Sequence, residues 1–168
     1  MFAIFGKEIS GFFSSLTGYI VIIVFLLVNS LFMWIFPGEW NILDTRYAGL
    51  DTLFFISPWV FLFLVPAVTM RMLAEEKRLG TIELLYSKPL TERGIILGKY
   101  FAAVTLVILA LIPCLIYYIS VYLLGETPGN LDAGGTWGAF IGLFFLAAIY
   151  AAAGIFASSL TDNQVIAF

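Results

Sequence analysis

Four stretches of the chain, residues 19–36, 53–70, 100–124 and 137–160, are almost unbroken runs of apolar side chains. A helix needs roughly 20 residues to cross a hydrocarbon core of about 30 Å, and these runs match that length. The first two are slightly short, and turns beyond the apolar window are expected to complete them. The only polar break in the first is Asn29-Ser30. The second carries Pro58 and Pro66, the third Pro113, and the fourth opens at Trp137 and is rich in alanine and glycine. Strands are excluded as the reading, because a membrane strand alternates apolar and polar positions whereas these runs are apolar on every face. Ahead of them, Phe2, Phe5, Ile9, Phe12, Phe13 and Leu16 recur at spacings of three and four, with Lys7, Glu8, Ser14 and Ser15 largely on the other side. That spacing predicts an interfacial helix over 2–16, lying in the plane of one leaflet. Gly6, Gly11 and Gly18 weaken it as a free helix, and an irregular leader stays open as the alternative. The pattern as a whole predicts an all-α membrane protein with four spans.

The connection at 71–99 has a grammar of its own. Helical polarity continues out of the second run through Glu75, Glu76, Lys77 and Arg78, and Gly80 is the natural break. Thr81 is placed to cap a short helix, Ile82–Tyr86, with Ile82 and Leu85 on one face and Glu83 between them. Ser87-Lys88-Pro89 ends it, since proline disfavours helical geometry in the residue before it. Thr91 then caps the next helix, and Glu92 in its first turn suits the positive end of the dipole. The outer connections are plainer: one starts with the turn Pro37-Gly38, and Pro128, Gly129, Gly134 and Gly135 mark the other as a turn-rich loop. A short helix between two long ones is a lever on which a partner can push; the alternative is an ordinary basic loop that fixes topology.

Charge placement orients the chain. Of its eight basic residues, Arg71, Lys77, Arg78, Lys88, Arg93 and Lys99 lie in the central connection and Lys7 lies on the same side. Arg46 is alone in the first outer connection, and the second has none. The positive-inside rule therefore places the N-terminus and residues 71–99 in the cytoplasm. Composition agrees with lipid as the solvent: 62% of residues are hydrophobic and 11% charged, against about 25% charged in a typical soluble domain. The opening segment lacks the layout of a signal peptide, so the first helix is expected to remain in the mature protein.

The chemistry available is sparse. The chain has no histidine, and Cys114 is its one cysteine, inside an apolar run. This excludes a Ser-His-Asp triad, a Cys-His pair, a His/Cys metal cluster and an intrachain disulfide. No nucleic-acid role is indicated. None of the four runs contains an acidic or basic residue, which argues against a carrier driven by protons or sodium ions. Asn29 and Ser30 are candidates either for a translocation path or for helix packing. Gly138 and Gly142 form a Gly-x-x-x-Gly pair suited to close packing, within the bundle or across a dimer.

Taken together, Glu75-Glu76-Lys77-Arg78-Leu-Gly80-Thr81-Ile-Glu83, then Ser87-Lys88-Pro89-Leu90-Thr91 and Leu97-Gly98-Lys99, resemble the permease subunits of type-2 ABC exporters. The likeness is nearest to the gliding-motility-associated ABC transporter permease of Bacteroidetes. It implies a subunit of the bacterial inner membrane, paired with a second permease, identical or related, and with cytoplasmic ATPase subunits that bind ATP and Mg. No cofactor is implied in this chain, since Gly98-Lys99-Tyr100 lacks the other elements of a phosphate-binding loop. Residues 2–16 match the family's elbow helix. Glu75, Glu76, Lys77, Arg78, Gly80, Thr81, Glu83 and Leu85 match the region that couples to the ATPase. The family implies six spans, so residues 162–168 are expected to open a fifth and the chain to be part of a longer permease. A non-transporting membrane scaffold that recruits a cytoplasmic assembly is the alternative function.

Overall fold

The computed structural model describes residues 1–81, 83, 91–125, 131–161 and 163. Helix α1, Phe2–Ser14, buries Ile4 and Phe12 and ends where Ser15 turns extended. Helix α2, Thr17–Ser30, starts almost at once. Gly18 makes that turn possible, because a Cβ there would sit 2.9 Å from the Phe12 carbonyl oxygen. The first span closes in a π-helical turn, Leu31–Ile35, with the Phe36 N–H donating to the Leu31 carbonyl at 2.8 Å. Phe36 then becomes extended, as a residue before proline prefers. A single-turn helix, α3, Ile42–Thr45, follows; the Asn41 side chain caps it by accepting from the Leu43 N–H at 2.9 Å.

Helix α4, Asp51–Arg78, is continuous for 28 residues, well past the apolar run at 53–70 and through both prolines. It stops at Gly80, whose φ of +67 is the left-handed conformation that glycine adopts without strain. The third apolar run is divided. Helix α5, Glu92–Leu111, and helix α6, Cys114–Leu124, meet at Pro113, which has no N–H to give and crowds the carbonyl one turn back. Thr91 caps α5, accepting from the Gly94 N–H at 3.2 Å. Helix α7, Ala133–Leu160, begins earlier than its apolar run, because Asp132 caps it by accepting from the Gly135 N–H at 3.0 Å. Gly134 and Gly135 thus form its first turn rather than a loop, and a Cβ on Gly135 would strike the capping carboxylate.

The helical segments Thr17–Ile35, Asp51–Arg78, Glu92–Leu124 and Ala133–Leu160 are each long and apolar enough to cross a membrane. The chain is a multi-pass, all-α membrane protein. Its surface is inverted relative to that of a water-soluble one. Ile20, Ile23, Trp59, Phe63, Ile116, Ile149 and Phe156 face outward, while Asn29, Ser57, Thr69 and Ser158 are wholly buried. Lipid accepts the first set and rejects the second. The most extensive pairing is between α4 and α7. Ala147, Ala151 and Gly154 are buried on α7, and Gly154 lies against Thr69 and Pro66 of α4, where a small residue lets the backbones approach. Phe25 of α2 stacks on Phe61 of α4 with ring centroids 4.4 Å apart. The short helix expected at Ile82–Tyr86 lies outside the described residues, apart from Glu83. The stretch expected to open a fifth span lies outside them too, apart from Asn163.

The seam at Gly154 gives a direct test. A Cβ at that position would overlap Thr69 Oγ1 and come 3.1 Å from Thr69 Cβ. Gly154→Val is expected to destabilise the bundle by about 1–3 kcal/mol, read as a lowered thermal midpoint in detergent. Combining Gly154→Ala with Thr69→Ala, which removes the obstructing hydroxyl, should cost less than Gly154→Ala alone.

Candidate functional site

The charged side chains gather at one end of the bundle, where α1 crosses the C-terminal end of α4 and the N-terminal end of α5. Gly98 allows the crossing to be close: a Cβ there would lie 3.1 Å from Ile4 Cβ and from the Met1 carbonyl oxygen. The next residue, Lys99, turns inward and is only 1% exposed. Its Nζ donates to Glu8 Oε1 at 2.6 Å and lies 2.9 Å from Glu76 Oε2. Glu76 Oε1 in turn accepts from Lys7 Nζ at 2.8 Å. Two carboxylates and two ammonium groups from three helices therefore neutralise one another. The hydrogen bond to Glu76 holds the Lys7 ammonium above the usual lysine range, so that pair stays charged through neutral pH.

A second set of contacts fastens α7 to the same end. Ser158 Oγ accepts from the Leu73 and Ala74 N–H groups at 3.1 and 3.0 Å and donates to the Met70 carbonyl at 2.9 Å. Lys77 Nζ donates to the Ser159 carbonyl at 2.5 Å. A cation is thereby placed on the negative end of the α7 dipole. Beside the ion cluster lies an open cavity of about 430 Å³, walled by α1, α4 and Lys99.

The residues singled out in the coupling block fall into different environments. Glu76 and Lys77 are engaged inside the bundle. Glu75 lines the cavity, Arg78 is exposed, and Gly80 ends α4. Thr81 Oγ1 donates back to the Glu76 carbonyl at 3.3 Å. Glu83 is exposed, and Leu85 lies outside the described residues. Far from this end, Asn29 and Ser30 knit helices together. Asn29 Nδ2 donates to the Phe25 carbonyl at 2.8 Å, and its Oδ1 accepts from Ser57 of α4 at 3.1 Å. Ser30 shares a hydrogen bond with Tyr117 of α6, 2.5 Å between oxygens. Gly138 and Gly142 lie on the outer face of α7, where a Cβ would meet nothing within 4 Å. Neither packs against another helix among the described residues. Glu8, Gly98, Lys99 and Ser158 were not picked out as a site by sequence reasoning. Glu8 and Lys99 stand 91 positions apart, and the available signal was a lysine set one residue before an apolar run.

The described residues hold no group of three or more His, Cys, Asp or Glu side chains arranged to bind a metal. In comparison with family models, residues 51–168 fit the model of the ABC-2 family transporter protein. The chain belongs to the ABC-2 transporter family. The matched region takes in α4, α5, α6, α7 and the ends of the helices that carry Glu76, Lys99 and Ser158, while α1 and α2 precede it. No curated protein and no solved structure matches the chain. The ABC-2 domain is the membrane permease component of a transporter and is not itself an enzyme.

The ion cluster makes a sharp prediction. Lys99→Ala leaves Glu8 without its cation and should lower stability by about 3 kcal/mol, seen as a drop in thermal midpoint in detergent. The double substitution Lys99→Met with Glu8→Gln keeps the Lys7–Glu76 pair and strands no charge. It should recover a large part of that loss.

Proposed function

We propose that this ABC-2 permease subunit is driven from its charged end by a cytoplasmic ATPase, and that movement there opens and closes the spans for export. The observation carrying the reading is the continuity of α4. One helix runs from Asp51 in the membrane to Arg78, and its last turns are held to α1 and α5 by Glu76 and to α7 by Lys77. A displacement at Arg78 is thus delivered to several spans at once rather than absorbed by a loose connection.

On this reading residues 71–99 lie in the cytoplasm and α1 is the elbow at the inner leaflet of the bacterial inner membrane. ATP and Mg are bound by the partner subunits. A second permease, a copy or a relative, completes the path, and the open Gly138–Gly142 face of α7 is the surface available for such packing. The likeness of the 75–99 block to gliding-motility permeases supports a role in motility or envelope assembly. The absence of any charged side chain in the four apolar runs fits energy supplied from outside the membrane.

Within the coupling block, the exposed and engaged residues should behave differently. Arg78→Glu and Glu83→Lys are expected to reduce co-purification with the ATPase and its stimulation severalfold, with the thermal midpoint unchanged. Glu76→Lys is expected to lower the thermal midpoint itself, because it places a third cation beside Lys7 and Lys99. Pull-down from membranes, with ATPase assays on the reconstituted complex, distinguishes the two classes. Unchanged partner binding and ATPase stimulation in both exposed variants would instead favour a scaffold.

A further inference from the structure

The cavity beside the ion cluster encloses about 430 Å³ between α1 and α4. Six charged residues line it: Lys7, Arg71 and Lys99, with Glu8, Glu75 and Glu76. Four of these satisfy one another in the cluster already described. Arg71 and Glu75 are left, and neither has an ion-pair or hydrogen-bond partner for its side chain among the described residues. They stand one turn apart on α4 with arginine N-terminal to glutamate, the weaker order for an i, i+4 pair, which favours their facing a ligand over facing each other. The floor is apolar, formed by Phe12 of α1 with Val68 and Met72 of α4. The depth is informative too: the apolar run within α4 ends at Met70, so Arg71 is the first charge after it and stands at the level of lipid headgroups.

We infer that this cavity binds a membrane phospholipid with a zwitterionic ethanolamine headgroup, from the leaflet on the side of the N-terminus. Arg71 presents a planar fork of donors to the phosphate, and the Glu75 carboxylate accepts hydrogen bonds from the primary ammonium. Two carbons separate the phosphate ester from that ammonium, so both charges fall within one helical turn. The acyl chains lie against Phe12, Val68 and Met72. An anionic headgroup fits less well, since Glu75 would face negative charge with no ammonium between. A choline headgroup fits less well because its methylated nitrogen has no N–H to donate. About 430 Å³ is within the range of ligand pockets. A lipid seated there wedges between α1 and α4 and becomes part of the joint between them.

Native mass spectrometry of the intact subunit in detergent tests this, with equimolar phosphatidylethanolamine, phosphatidylglycerol and phosphatidylcholine added. Phosphatidylethanolamine should be retained preferentially. Arg71→Gln should weaken its retention about tenfold, the loss of one charge-assisted contact. Arg71→Lys, which keeps the charge and loses the fork, should weaken it less than Arg71→Gln. Glu75→Gln should bring the three lipids close to parity. Neither side chain bonds to another among the described residues, so circular dichroism and thermal midpoint should match the unsubstituted protein. Soluble glycerophosphoethanolamine in tenfold excess should not displace the lipid. Equal retention of the three lipids by the unsubstituted protein, or displacement by the soluble headgroup, would overturn the inference. So would Arg71→Gln losing ATPase binding while keeping its lipid, which would mark the cavity as a protein contact.

Discussion

Burying the Lys99 ammonium imposes the geometry on which the rest of this end of the molecule depends. An ammonium taken out of water costs several kcal/mol unless carboxylates surround it, and here they come from two other helices. Glu8 on α1 and Glu76 on α4 both reach Lys99 of α5, and Lys7 balances the remaining charge. Such a cluster adds little net stability over an apolar packing of the same volume. What it does is penalise every other placement of α1, because sliding or rotating that helix would strand a charge. Gly98 belongs to the same constraint. It lets α1 come close enough for the carboxylate to arrive.

The same logic applies inside the membrane. Lipid tails are as apolar as leucine, so the hydrophobic effect does not choose one packing of the spans over another. The choice falls to the few buried polar groups and to small residues. Asn29 pairs α2 with α4 through Ser57, and Ser30 with Tyr117 joins α2 to α6. Ser158 sets the height of α7 against α4 by meeting the Leu73 and Ala74 N–H groups, while Gly154 sets their distance. Each contact is modest, but each holds only in one register.

What sequence patterning makes legible follows from range. Four spans, the break at Gly80 and the cap at Thr91 depend on residues within a turn or two of one another, and they can be read directly. Proline inside an apolar run is ambiguous from sequence, however: Pro58 and Pro66 pass within a continuous α4, whereas Pro113 divides its span. Local rules do not separate these cases, because neighbouring helices decide whether the freed carbonyl is met elsewhere. The start of α7 is obscured for a different reason. Gly134 and Gly135 read as loop residues until the Asp132 carboxylate is seen to need their small size for its cap. The ion cluster is the least legible feature. Lys7 and Lys99 look like topology markers, and only the crossing of helices remote in sequence shows them to be internal partners.

These observations bear on how the charged end moves the spans, on the function proposed. Between Pro66 and Arg78 helix α4 is uninterrupted, a segment on the order of 18 Å at 1.5 Å per residue. That stretch holds ties to three neighbours at this end: Glu76 to α1 and α5, and Met70, Leu73, Ala74 and Lys77 to α7. A push near Arg78 is therefore resisted by the ties within the segment, and the first weak point it meets is Pro66, where the hydrogen-bond ladder lacks a donor. Bending there swings the platform as one body, carrying α1 and the lower part of α5 with it. In the third span the corresponding weak point is Pro113, between α5 and α6 near the middle of the apolar run. The two helices are thus hinged at different depths, and a common displacement at the platform must shear them past each other. On the function proposed, that shear would open a bundle, tied at one end, at the other.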